Sequence, residues 1–146
     1  MPLTGFCVIV VIVRIFKNTW FARFASKEGI QDRELREIVN NVLETGQTRQ
    51  QAGAVDLGGG VFKLRIARQG EGKSGGYRVI VFFKIKERTF FHYGFAKSAR
   101  SNISEGELKI MKKQAKKRFA QSDEQINKQL ANGTLFEITR ENDYGA

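Results

Sequence analysis

Apolar residues recur along the chain in two periods, and the changes of period mark the elements. Cys7–Phe16 reads CVIVVIVRIF, continuous and β-branched, which predicts a buried strand. Thr19 then stands where it can cap a short helix carrying Trp20, Phe21 and Phe24 on one side as core residues. Asp32 is placed to cap a second helix, in which Leu35, Ile38, Val39, Val42 and Leu43 return at helical spacing until Gly46 stops it. A polar, Gly-rich connection follows and ends in Asp56-Leu57-Gly58-Gly59-Gly60.

Three strand-like runs come next. Val61–Arg68 alternates Phe62, Leu64 and Ile66 with Lys63, Arg65 and Ala67, giving one apolar and one cationic face. Gly76–Lys84 and Arg88–Ala96 are apolar on both faces, as central strands often are. The short Ile85-Lys86-Glu87 link between them predicts an antiparallel hairpin. Ser104-x-x-Glu107 is a capping box opening a third helix, with Leu108, Met111, Ala115 and Phe119 inward and five lysines around the rest. Ser122-x-x-Gln125 opens another short helix, ending at Asn132-Gly133 before a candidate strand, Thr134–Ile138. The order β-α-α-β-β-β-α describes a compact α+β domain with an antiparallel sheet and a C-terminal helical tail. Residues 14–146 read as one domain, with residues 1–13 as an apolar N-terminal extension or the first part of strand 1.

Composition narrows the chemistry. At 146 residues, with 41% hydrophobic and 27% charged, the chain suits one domain with a real core. One cysteine, Cys7, cannot make an internal disulfide, and one histidine beside it is too little for a zinc site. The apolar run Gly5–Val13 is too short to span a bilayer and lacks the basic leader and cleavage site of a signal peptide. These features predict a cytoplasmic protein without membrane partner, metal or cofactor. Net charge is +10, and residues 61–118 hold sixteen Lys and Arg against four Glu, so the whole excess lies in that stretch. Such a stretch attracts polyphosphate.

One nucleotide-binding match fails on context. Ala67-x4-Gly72-Lys73-Ser74 satisfies a loose P-loop pattern, but that loop works only where Lys-Ser opens a helix. Here Tyr77-Arg78-Val79-Ile80-Val81 follows and reads as a strand. The stronger signal is the set of cations on neighbouring strands. Lys63 and Arg65 are two apart and share a face; Arg78 begins the next strand; Lys97 and Arg100 follow the strand after it. If the strands pair in sequence order, these charges converge at one end of the sheet. A solvated cationic face is the plainer reading.

The segments Leu57-Gly-Gly-Gly-Val-Phe-Lys63-Leu-Arg65-Ile-Ala-Arg68, Gly76-Tyr77-Arg78 and Tyr93-Gly-Phe-Ala-Lys97 resemble the RelE toxin family of bacterial toxin–antitoxin modules, from about Arg14 to Phe119. The resemblance implies a RelE-like fold and a ribosome-dependent, metal-independent mRNA endoribonuclease that inhibits translation. It also implies a cognate antitoxin as partner, with ribosome and mRNA as targets. Arg78 and Lys97 match positions that would hold the scissile phosphate, and Lys63 or Arg65 those that would handle the 2′-OH proton. Arg68, Lys73, Arg100, Lys112 and Lys116 are candidate RNA contacts.

The chemistry suits such residues. Attack of a 2′-OH on the adjacent phosphate builds negative charge that Lys and Arg can stabilise without a metal. A lysine acts as the base only where its neighbours depress its pKa, which crowded cations do. Several relatives stack the substrate base on a C-terminal tyrosine, yet no aromatic lies between Phe95 and Phe119 here. Tyr93 or His92 can substitute, and strict alternation sends them to opposite faces. By parity Tyr93 joins Phe91 and Phe95, as a core tyrosine would. Two other readings stay open: a gyrase-inhibiting ParE-like toxin of the same fold, and a passive basic nucleic-acid-binding module.

Overall fold

The computed structural model describes residues 13–44, 53–67 and 76–139. Among them the elements are β1 (Ile15–Asn18), α1 (Thr19–Glu28), α2 (Asp32–Ile38) continuing as a π-helical turn (Val39–Leu43), β2 (Val55–Asp56), β3 (Val61–Ile66), β4 (Tyr77–Phe83), β5 (Thr89–Ala96), α3 (Glu105–Ala120), α4 (Asp123–Ala131) and β6 (Leu135–Ile138). The strands form one mostly antiparallel sheet in the order β2-β3-β4-β5-β1-β6. β1 and β5 are its parallel pair, and β6 closes the sheet against β1. The α+β expectation therefore holds.

The sheet is covered on both faces. On one side Phe62, Leu64 and Ile66 of β3, with Val79, Val81 and Phe83 of β4 and Phe91 of β5, meet Phe21, Ala25, Leu35, Val39 and Leu43 from α1, α2 and the π-helical turn. On the other, Phe16, Val61, Ile80, Phe82 and Phe90 meet Met111 and Ala115 of α3 and Ile126 of α4. Alternation delivers each strand residue to one core or the other, which is why β4 and β5 read as apolar throughout.

Several predicted boundaries move. The first strand lies at Ile15–Asn18 and runs past Phe16, while residues 7–12 are outside the described residues. Asn18, the last residue of that strand, caps α1: its Oδ1 accepts from Phe21 N at 2.7 Å, and Thr19 becomes the first helical residue. Gln31, not Asp32, precedes α2, and Glu34 accepts from its backbone N–H at 3.3 Å. The Asp32 carboxylate is taken instead by Lys17, Nζ to Oδ1 2.6 Å. Gly46, read as the helix stop, lies outside the described residues. Strand β2 was hidden inside the Gly-rich connection. Of the aromatic trio on α1, Phe21 is fully buried and Phe24 half-buried, but Trp20 is 44% exposed, which corrects its reading as core.

A tight approach joins α1 to β5. A Cβ on Gly94 would lie 2.5 Å from Phe24 Cε2, and that ring is held by Phe21, Trp20 and Tyr77, at centroid distances of 5.7, 5.3 and 5.7 Å. The ring has little room to retreat. Gly94→Ala is therefore expected to destabilise the fold by about 1–3 kcal/mol through overpacking. Urea unfolding checks this, and an unchanged midpoint would mean that the Phe24 ring is free to move.

Candidate functional site

The register of β3 and β4 places Arg65 directly opposite Arg78, with Lys63 opposite Ile80. Arg78 in turn pairs with Phe95 on β5. Side chains directly opposite on one face have Cβ atoms about 5 Å apart. The two guanidinium-bearing residues thus stand side by side on the α3 side of the sheet. Neither makes an ion pair with a carboxylate among the described residues. Partial burial, then the neighbouring Arg65 charge, lowers the Arg78 pKa below its ordinary value. Two unneutralised cations held by backbone register form a site that an anion would relieve.

Lys97 is exposed just beyond β5, and its backbone N–H continues the ladder to Gly76 O at 3.1 Å. It therefore lies at the same end of the sheet as Arg78. Lys63 is half-buried, and its Nζ donates to Asn102 Oδ1 at 3.3 Å. Asn102 and Glu107 had no assigned role from sequence. The capping box of α3 gave the only signal for Glu107, whose carboxylate does two jobs.

That carboxylate accepts from Ser104 N at 2.8 Å and holds Arg100 in a two-pronged bridge, Nη2 to Oε1 2.6 Å and Nη1 to Oε2 3.1 Å. Arg100 Nη1 also donates to the Tyr93 hydroxyl at 3.3 Å, and its Nε to Asn102 O at 2.9 Å. The Arg100 bridge, with the Ser104 N–H, keeps the Glu107 carboxyl down at about 2; Glu107, then Tyr93, raises Arg100. Arg100 is thus engaged as a clamp between β5 and α3.

A bulge decides which way the β5 aromatics face. Ile80 pairs with Tyr93 but Val81 pairs with Phe91, so His92 is the extra residue. Consequently His92 and Tyr93 both lie on the α3 side: His92 stacks on Phe82 at 4.4 Å, and Tyr93 packs with the α3-side cluster. The expectation of opposite faces fails because alternation breaks at that one residue. Tyr93 parts from Phe91 and joins the cationic side, where Trp20 lies 4.5 Å from its ring.

Lys112 and Lys116 are exposed on α3 but stand at the far end of the sheet, by the turn between β2 and β3. They do not join the arginine pair. Arg68 and Lys73 lie outside the described residues, as does most of the rejected P-loop match; Tyr77, just after it, does begin a strand. Among the described residues no group of three or more His, Cys, Asp or Glu is arranged to hold a metal. Nor is any helix there long and apolar enough to cross a membrane.

The family model described as the RelE toxin of the RelE/RelB toxin–antitoxin system matches residues 13–138. The chain belongs to the RelE toxin family. It is the toxin component of a toxin–antitoxin module, and RelE toxins pair with a RelB-type antitoxin. No curated protein and no solved structure matches the chain.

In this RelE-family toxin the single histidine has a structural place. Burial, then the charge of Arg118, lowers the His92 pKa to about 4, against a weaker opposing bond from Gln114. Asn18 Nδ2 lies 3.2 Å from His92 Nδ1 and donates to His92 O at 3.0 Å. A folded-state pKa below the unfolded 6.5 means that the unfolded chain binds the proton first, so stability falls between pH 6.5 and 4. The loss is up to about 3 kcal/mol. Relative to His92→Phe, the parent chain is expected to lose that much extra stability on going from pH 7 to pH 4. Urea unfolding at several pH values checks this, and a pH-independent gap would show that the imidazole is not held neutral.

Proposed function

We propose that this toxin is a ribosome-dependent mRNA endoribonuclease and that Arg65 and Arg78, opposed across β3 and β4, are the centre of its phosphate site. That juxtaposition carries the reading: two arginines directly opposite in register, neither with a carboxylate partner among the described residues, repel each other and so favour a bound anion. Toxins of this family are generally mRNA endoribonucleases.

In this reading Arg78, with Lys97 beside it, holds the non-bridging oxygens of the scissile phosphate. The 2′-OH of the preceding ribose attacks phosphorus, the 5′-oxygen of the next nucleotide leaves, and a 2′,3′-cyclic phosphate remains. Charge grows on the equatorial oxygens in the transition state, where fixed guanidiniums act most strongly. Lys63, two residues from Arg65 on the same face, accepts the 2′-OH proton as attack proceeds, and water protonates the departing 5′-oxygen. Tyr93, turned to this side by the bulge and held by Arg100, packs against the substrate base. Arg100 is a positioning residue, and the ribosome orients the message for in-line attack. A RelB-type antitoxin silences the site by laying an acidic segment across the cations or by displacing α3.

Arg78→Ala is expected to keep the fold and lower cleavage of translated mRNA about 10²–10³-fold, abolishing growth arrest. A folded variant that remains fully toxic would refute the assignment. Lys63→Ala with Arg65→Ala should impair cleavage more than either change alone.

Primer extension on translated and untranslated copies of one message tests ribosome dependence. Cuts are expected only in the translated copy. Equal cutting of both would indicate a free ribonuclease, and no cutting of either would favour the gyrase-directed alternative.

A further inference from the structure

The lysines that do not reach the arginine pair surround a cavity of their own. A groove of about 520 Å³ opens between the β2–β3 turn and the C-terminal half of α3, lined by Gly59, Gly60, Lys84, Lys112, Lys116 and Phe119. Among the described residues, no acidic residue lines it. Lys84 has a nearby carboxylate, Glu87 at 3.4 Å, but both side chains are more than half exposed, and such pairs hold weakly.

The turn is shaped to receive α3. Gly58, Gly59 and Gly60 have φ of 90°, 65° and 82°, the left-handed region that side chains disfavour. A Cβ on Gly59 would lie 3.2 Å from Lys112 Cγ, and one on Gly60 would lie 2.7 Å from Phe119 Cε2. Three glycines thus let the Lys112 stem and the Phe119 ring lie directly against backbone. The result is an apolar floor with amines at its rim. Lys84 Nζ sits 5.9 Å from the Phe119 centroid.

We propose that this groove is a second RNA subsite, holding one nucleotide with its phosphate among Lys84, Lys112 and Lys116 and its base or ribose against Phe119. The proposal rests on the reading of the chain as an RNA-directed toxin and adds a site remote from the cleavage centre. Amines give the phosphate contacts and an aromatic ring gives the sequence-tolerant packing that single-stranded sites combine. Position adds to this. β3 runs from the Gly60 turn to Arg65, and four strand residues span about 13 Å. Lys63 lies between the two ends on the same side of the sheet. One strand of RNA a few nucleotides long would therefore meet cations continuously from Arg78 to Lys116.

The test uses the full chain and a fluorescent single-stranded RNA oligonucleotide carrying 2′-O-methyl groups, which cannot be cut by 2′-OH attack. Affinity is read by anisotropy over a range of salt. Lys112→Ala with Lys116→Ala should weaken binding at least tenfold at low salt. It should also flatten the slope of log K against log salt by about 1.4, from two lost phosphate contacts at about 0.7 each. Phe119→Leu should weaken binding about fivefold or more with the slope unchanged. Lys109→Ala with Lys113→Ala, on the same helix but outside the groove, is the control and should lose much less.

Equal losses in the groove and control pairs would overturn the proposal, because they would mean a diffuse basic face. Unchanged RNA affinity in the groove pair, or no binding by the parent chain, would also overturn it. Unchanged RNA affinity with weakened capture of a RelB-type antitoxin would reassign the groove to an acidic peptide. Because the oligonucleotide is uncleavable, failure of the nuclease reading would appear in the Arg78→Ala assay and not here.

Discussion

The register of β3 against β4 is the constraint on which the rest depends. It sets Arg65 across from Arg78, and it is fixed by burial on both faces. Phe62, Leu64 and Ile66 must enter the core under α1 and α2, while Val61 must enter the core under α3. A slip of one residue would put Lys63 and Arg65 into the α1 side and Leu64 against α3. Burying two unpaired cations there is far costlier than any turn preference. The apolar residues of the strand thus hold like charges together against their own repulsion, and burial, then that repulsion, lowers the Arg78 pKa.

The elements that could be read from sequence are those whose signal is periodic or local. The alternation in Val61–Ile66, the two capping boxes at Ser104 and Ser122, and the 3.6-residue stripe of Leu35, Val39 and Leu43 all correspond to observed structure. What could not be read depends on contacts distant in sequence. Asp32 is a good helix cap in isolation, but Lys17 takes its carboxylate. Asn18 is an unremarkable strand residue until its amide side chain caps α1 and also bonds His92. β2 has two residues, too few to show a period, and exists because β3 offers it a free edge.

The candidate site follows the same rule. Lys63, Arg65 and Arg78 could be placed together from strand parity and sequential pairing alone. Tyr93 could not, since a single bulge at His92 inverts its face, and bulges leave no reliable mark in one sequence. Nor did the even spread of lysines along α3 reveal that its two ends serve different neighbourhoods. Trp20 misled for a related reason: helical spacing placed it with Phe21 and Phe24, but it lies in the first turn of α1, where β1 has ended and Tyr93 is the nearest ring.

α3 is consequently part of the candidate site and not only a cover for the core. Its first turn carries Glu107, which holds Arg100 and through it the Tyr93 hydroxyl. Its middle carries Met111 and Ala115, which are buried against the sheet. Its last turns carry Lys116 and Phe119 at the second groove. The hydrophobic middle fixes where the helix lies, and the polar ends then act at a distance set by helix length, about 18 Å from Glu107 to Phe119 at 1.5 Å per residue. Displacing the helix would break the Arg100 bridge and open the groove in one movement. Blocking the arginine pair by charge alone would leave both intact, so the two proposed routes of inhibition differ in what happens at the Gly58–Gly60 turn.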